Sequence, residues 1–273
     1  MKNIKYIALL FLSILCFSCE EVVDVDLKTA PPRLVIDASI DWVKGTDGTT
    51  QKIKLTTTTG YFQNVIPVVS NATVFVTNSS NTVFTFTETP GTGEYICSDF
   101  QAVIGETYVL TVVHNGQTYT ATEKMTAVPD ITRTEQNNEG GFSNDEIEVK
   151  FFYNDNGQED NFYLSKFETS RLPYPDYDVL DDKFFQGNEM FGLFTHEDFK
   201  PGDQLKISLL GISERYYNYM YILIGIAEGA GGGPFQTTPA NVRGNIVNQT
   251  DKNNYALGYF RVSERTELIY TIQ

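Results

Sequence analysis

Cysteine and histidine are scarce in this chain, and each shortage removes a chemistry. The only histidines, His114 and His196, lie far apart without ligand spacing, and the three cysteines are Cys16, Cys19 and Cys97. A structural zinc site needs four closely spaced ligands, and thiol exchange needs a folded environment that lowers a thiol pKa. Cys16 and Cys19 have the spacing of a CxxC but no second ligand pair and no helix N-terminus beside them. No metal or redox cofactor is therefore expected. No nucleophile, base and orienting group can be named together, and this argues against an enzyme. Positive charge is short too, with 20 Lys and Arg against 35 Asp and Glu. So acidic a surface repels nucleic acid and anionic headgroups. Long apolar runs are also missing. The uncharged run from Tyr6 to Ser18 has 13 residues, whereas a helix needs ~20 to cross a bilayer.

What that run does have is the setting of an export signal. Lys2 and Lys5 precede it and Glu20 and Glu21 follow it, which predicts a cleavable signal over residues 1–18. The stretch "LSILCFSCEE" resembles the lipobox of bacterial lipoproteins, in which a hydrophobic run ends before a cysteine that is acylated and becomes residue one. Ser18 and Cys19 fit that pattern, and Cys16 stands where leucine is commoner. The resemblance implies lipid attachment at Cys19 and membrane contact through that anchor. Each buried CH₂ contributes ~0.8 kcal/mol, so two or three acyl chains hold stably without a transmembrane helix. Removing residues 1–18 takes away two lysines and no acid, leaving 18 basic against 35 acidic residues and a net charge of −17. Only Cys97 then remains besides the lipid-bearing residue, and no intrachain disulfide is available. Residues 19–32, "CEEVVDVDLKTAPP", read as an acidic tether. Glu20 and Glu21 directly after the cysteine resemble the surface-export signal of Bacteroidota lipoproteins.

The remainder is predicted to be mainly β: an N-terminal Ig-like β-sandwich over 33–128, a linker over 129–145, and a second β-rich domain over 146–273 carrying one helix near 213–228. Segments such as "RLVIDASID", "ATVFVTNSS" and "TYVLTVVHNGQTYTATEKM" alternate apolar and polar residues between Gly, Asn, Pro and Ser. Asn115 and Gly116 can supply the positive φ of a tight hairpin turn, which makes His114 a turn residue. Cys97 alternates with Tyr95 and reads as a buried core thiol. The polar stretch "AVPDITRTEQNNEGGFSNDE" lacks periodicity and predicts the linker. Asp155, Glu159 and Asp160 in "NDNGQEDN" could be imagined around calcium, but they lack EF-hand spacing and read as an acidic turn. Between Arg171 and Pro201 an irregular, aromatic insertion either caps the second sheet or forms a contact surface. Tyr174 and Tyr177 are its partner-contact candidates. In "SERYYNYMYILIGIAEG", Ser213 is the expected N-cap, and Tyr216, Met220, Leu223, Ile224 and Ala227 share a face. The run "GAGGGPF" follows that helix, lacks a GK[ST], and reads as a turn, not a phosphate loop.

The closing segments "GGPF", "RGNIVN" and "ALGYF", together with "CEE", "PRLVIDASI", "SNATVFVTN" and "GEYICSDF", resemble a large family of Bacteroidota outer-membrane lipoproteins described only as a domain of unknown function. The resemblance spans nearly the whole chain after Cys19. It implies a surface lipoprotein often encoded beside TonB-dependent (SusC-like) receptors, and it supplies no catalytic residues. The expected function is thus an accessory or scaffold subunit of an outer-membrane β-barrel complex. The alternative is a binding lipoprotein that captures a glycan, peptide or siderophore.

Overall fold

A computed structural model of the protein describes residues 31–60, 63–227 and 242–273. The signal over 1–18, Cys19, Glu20, Glu21 and the glycine run after the helix lie outside the described residues. Among the described residues fifteen strands follow in chain order: β1 (Leu34–Val43), β2 (Gln51–Thr57), β3 (Thr73–Asn78), β4 (Val83–Thr89), β5 (Glu94–Cys97), β6 (Thr107–His114), β7 (Gln117–Lys124), β8 (Ile131–Gly140), β9 (Glu146–Asn154), β10 (Phe162–Thr169), β11 (Asp176–Asp181), β12 (Glu189–His196), β13 (Gln204–Ile212), β14 (Val247–Asn248) and β15 (Leu257–Thr271). One helix, α1 (Glu214–Ala227), precedes β14. The protein is mainly β, with a β-sandwich architecture and one helix among the described residues.

Twelve strands form one continuous sheet in the order β11-β10-β13-β15-β1-β2-β5-β4-β3-β6-β7-β14, and three form a second in the order β12-β9-β8. The N-terminal half folds over on itself because its strands alternate. Ile36, Ala38 and Ile40 of β1 point inward against Val74, Val76, Tyr108, Leu110 and Val112 of the facing strands. Asn115 and Gly116 take φ of 48° and 72° in the β6–β7 turn, where His114 pairs with Gln117. That is the conformation the Asn-Gly pair favours. A second core lies between β9 and β12 on one side and β10 and β13 on the other, with Phe151, Tyr153, Tyr163, Phe167 and Phe194 at its centre.

Three expectations are corrected. Residues 129–145 are not simply a linker, because β8 occupies most of them and pairs with β9. Its period is hidden by two register shifts, at Ile131/Arg133 and Asn137/Gly140. An edge strand with one solvated face has no need of apolar residues. Residues 32–273 also form one compact unit. The reason is β15, which pairs in parallel with β1 and antiparallel with β13 and sends Phe260 and Val262 into the N-terminal core. Finally, the supposedly irregular insertion contains β11 and β12.

The helix starts where its cap places it: Tyr216 N donates to Ser213 Oγ at 3.2 Å. Tyr216 is buried and meets Tyr259 edge-on at 4.7 Å between ring centroids. Met220, Leu223 and Ile224 are half-buried, while Ala227 is exposed. The expected apolar face is therefore covered at its N-terminal end and thins toward its C-terminal end. No described helix is long and apolar enough to cross a membrane.

Candidate functional site

β11 ends the large sheet and β12 ends the small one, and residues of both strands line one groove. They are consecutive in sequence yet unpaired with each other. The connection between them is held away by the 155–161 turn. Asp155 accepts from the Tyr163 hydroxyl at 2.6 Å and from Gly187 N at 2.8 Å, and Asp182 accepts from Asn161 N at 2.9 Å. Burial pushes the Asp182 carboxyl above the usual carboxylate range. Gly157 and Gly187 are needed where the two backbones touch, since a Cβ on Gly157 would meet Gly187 Cα at 2.7 Å. Asp155, imagined at sequence level beside a cation, is thus spent on protein donors.

The gap left between the edges is a groove of about 230 Å³ lined by Leu180, Phe185, Met190, Phe191 and Leu193, with Asp178, Asp181 and Glu189 among its carboxylates. Gly192 sits at its floor because the Phe151 ring occupies the place of a side chain: a Cβ there would lie 2.3 Å from Phe151 Cζ. A second cleft of about 330 Å³ shares Asp181 with the groove. It is lined by Asp160, Asp182, Glu214, Phe162 and Tyr217, with Lys183 its one basic residue. Tyr217 donates to Asp181 at 3.0 Å. The surroundings are rich in exposed rings, including Phe184 at 83% exposure and Phe185 at 51%. On the outer face of the small sheet, the Arg133 guanidinium lies 3.4 Å over the Phe152 ring and clasps Glu189 through two hydrogen bonds.

The two tyrosines singled out from sequence part company here. Tyr174 is 80% exposed in the turn before β11. Tyr177 lies within β11 and packs under the helix beside Tyr216, Leu164 and Leu210. It is a packing residue, and the pair does not form one contact surface. The groove-lining residues Leu180, Met190 and Leu193 were missed. For Met190 and Leu193 the signal is the alternation of "EMFGLF", broken by a glycine that looks like a turn.

Other reactive groups are quiet. The Cys97 thiol is buried and, chiefly by that burial, pushed up to about 11. His196 Nδ1 accepts from Asp198 N at 3.1 Å, and its ring packs near Phe194 and Phe199. Among the described residues no group of three His, Cys, Asp or Glu side chains is placed to hold a metal.

A family model described as a domain of unknown function, DUF4249, matches residues 20–269. The chain belongs to the DUF4249 family. No curated protein matches it. Among solved structures, a two-domain fibronectin type-III segment of chicken tenascin is 12% identical, with 66% of this chain and 90% of that chain covered and a TM-score of 0.21. The FN1–FN3 domains of chicken CNTN1 are 11% identical, with 61% and 56% covered and a TM-score of 0.20.

In this DUF4249 chain the closing "RGNIVN" segment is architectural. Asn245 exchanges two backbone hydrogen bonds with Phe260 and donates to Glu123 at 3.0 Å. Glu123 also accepts from the Tyr259 hydroxyl at 2.9 Å. Gly244 abuts Gly258, which in turn abuts the Ile36 carbonyl, so that Cβ atoms there would fall 1.8 and 2.0 Å from backbone oxygens. These residues lock β15 to β7 and β1.

Proposed function

We propose that the chain is a surface-exposed outer-membrane lipoprotein of the Bacteroidota type, held by lipid on Cys19 and carried outward by the Glu20–Glu21 signal. In this reading it serves as an accessory or scaffold subunit of an outer-membrane β-barrel complex such as a TonB-dependent, SusC-like transporter. The observation that carries the reading is the open side of the second core: two strand edges, unpaired among the described residues, flank an apolar groove with exposed rings beside it, as a docking surface requires. The assembled groups there are rings and carboxylates without a nucleophile and base in contact, which favours binding over catalysis.

The test has two arms. Cys19→Ala abolishes metabolic palmitate labelling and releases the protein from membranes, while Cys16→Ala leaves labelling intact. Equal labelling of both variants overturns the anchor. Affinity purification of the full chain from detergent-solubilised membranes, read by mass spectrometry, recovers a β-barrel protein. Its absence overturns the accessory role. The acidic cleft of about 330 Å³ favours a second reading, capture of a small cationic ligand, in which the purified chain binds ligand without a barrel.

A further inference from the structure

Resting on the lipid-anchor reading above, we infer that the end of the N-terminal half from which the tether departs lies on the lipid surface. There an apolar loop enters the headgroup layer, and two arginines meet anionic phosphate headgroups. β1 and β15 both begin at that end and β2 finishes there, so it gathers Arg33, the loop after β2 and the turn before β15. Thr58 N donates to Arg33 O, and Arg33 N donates to Thr58 Oγ1, both at 2.9 Å. Pro31 stands only twelve residues after Cys19, a reach of about 40 Å when fully extended. An acylated Cys19 therefore keeps this end close to the bilayer.

Val65 and Ile66 are 75% and 62% exposed, and Pro67 and Val68 after them are exposed as well. Four consecutive apolar side chains on the outside of a fold call for something that covers them. Thr57 N donates to Pro67 O at 2.9 Å and Val69 N to Leu55 O at 3.0 Å, so the base of this loop is fixed to β2. Beside it the Arg33 and Arg243 guanidiniums lie 3.9 and 3.8 Å from the centre of the Tyr255 ring. Two groups that close to one ring centre cannot share a face, so Tyr255 is clasped between them. Arg33 also donates to the carbonyls of Asn253 and Tyr255 at 3.5 Å. Among the described residues neither guanidinium pairs with a carboxylate, whereas Arg133, Arg171, Arg261 and Arg265 all do. Lys252 is exposed in the same turn, where Asp251 is the neighbouring acid. On a chain of 35 acids and 20 bases this is a local reversal of sign. A negatively charged lipid surface attracts this end and repels the rest, which selects one orientation. Tyrosine and arginine together suit the headgroup layer, where a ring and its polar edge are both accommodated.

For the test, the full chain is extracted in detergent and reconstituted into vesicles of equal parts brominated phosphatidylcholine and phosphatidylglycerol. Trp42, the single tryptophan, stands near the far end of β1, roughly 30 Å from Arg33 by strand length, and is the internal control. Its emission is expected to stay unquenched, whereas Ile66→Trp in a Trp42→Phe chain is quenched by the bromines. Replacing phosphatidylglycerol with phosphatidylcholine, which leaves the protein unaltered, lowers the docked-to-undocked ratio read from that quenching about tenfold. Arg33→Gln combined with Arg243→Gln has the same effect in the charged vesicles, and Arg33→Lys combined with Arg243→Lys keeps most of the quenching. Should the glutamine pair lower the melting temperature, the exchange of lipid carries the charge comparison alone. Unquenched Ile66→Trp, equal quenching of Trp42, or quenching indifferent to headgroup charge overturns the inference. So does an Ile66→Trp emission that shifts to the blue only when a barrel protein is reconstituted alongside, which assigns the loop to a protein partner. If the chain floats with the vesicles while Ile66→Trp stays unquenched, the anchor stands and the inference falls; if the chain does not float with them, the anchor reading falls and takes the inference with it.

Discussion

Glu123 sits almost fully buried between β7 and β15, where a carboxylate would ordinarily be expensive. Burial pushes its pKa above the usual range, and hydrogen bonds from Tyr259, Ser213 and Asn245 pull the other way, with burial the larger. The folded chain therefore holds this proton more tightly than the unfolded one. The stability it contributes is fully present below the ordinary glutamate value and is lost as pH rises through the folded value. Glu123→Gln keeps an acceptor oxygen for Tyr259 and Asn245 but removes the titration. Its unfolding free energy in urea should accordingly gain on the parent's as pH rises from about 4 to about 7. A variant that instead loses ground across that window would show that the three donors outweigh burial. Nothing in the local sequence "TATEKM" distinguishes Glu123 from a solvated strand residue, because its partners Ser213, Asn245 and Tyr259 lie far along the chain. Only the alternation that buries positions 119, 121 and 123 of β7 was legible.

At the scale of elements, strands with strict alternation and the capped helix could be read directly, while β8, β11 and β12 could not. Each of the three is an edge strand, and edge strands are specified by one face and one neighbour. β8 hides its period behind two bulges, β11 begins immediately after Pro175, and β12 is interrupted by Gly192, which Phe151 requires. The contrast within β11 and its approach turn is measurable. Tyr177→Ala empties space under the helix and should cost about 2 kcal/mol, less than a fully buried ring because the site is half-open. Tyr174→Ala should change stability by no more than about 0.5 kcal/mol, as exposed positions usually do. Chemical denaturation of the two variants separates them. Comparable losses would mean that the turn before β11 packs against the fold more closely than its exposure indicates.

For the whole molecule, the decisive pairing is the one between the first and last long strands. β1 lies beside β15 in parallel, from Val35↔Leu257 to Val43↔Arg265, an association across more than two hundred residues that no local pattern announces. On the β1 side Asp41 meets Arg261 at 2.7 Å and Arg265 at 3.3 Å. Arg261 is almost completely enclosed, so this ion pair is fixed only when both ends of the chain are in place. Residues 33–128, which alternate so clearly that they read as a free-standing sandwich, should therefore fail to fold alone. Without β15 their core loses Phe260 and Val262, β1 loses a neighbour along most of its length, and Asp41 loses both arginines. The expected result for the isolated segment is no cooperative urea transition and rapid amide exchange in β1. Tethering residues 242–265 to its N-terminus through a flexible Gly/Ser linker should restore the transition, because that piece returns the parallel strand, the Asn245 bridge to Glu123 and both arginines. Cooperative unfolding of 33–128 without the tether would establish instead that the first core is self-sufficient and that β15 merely fastens the second core to it.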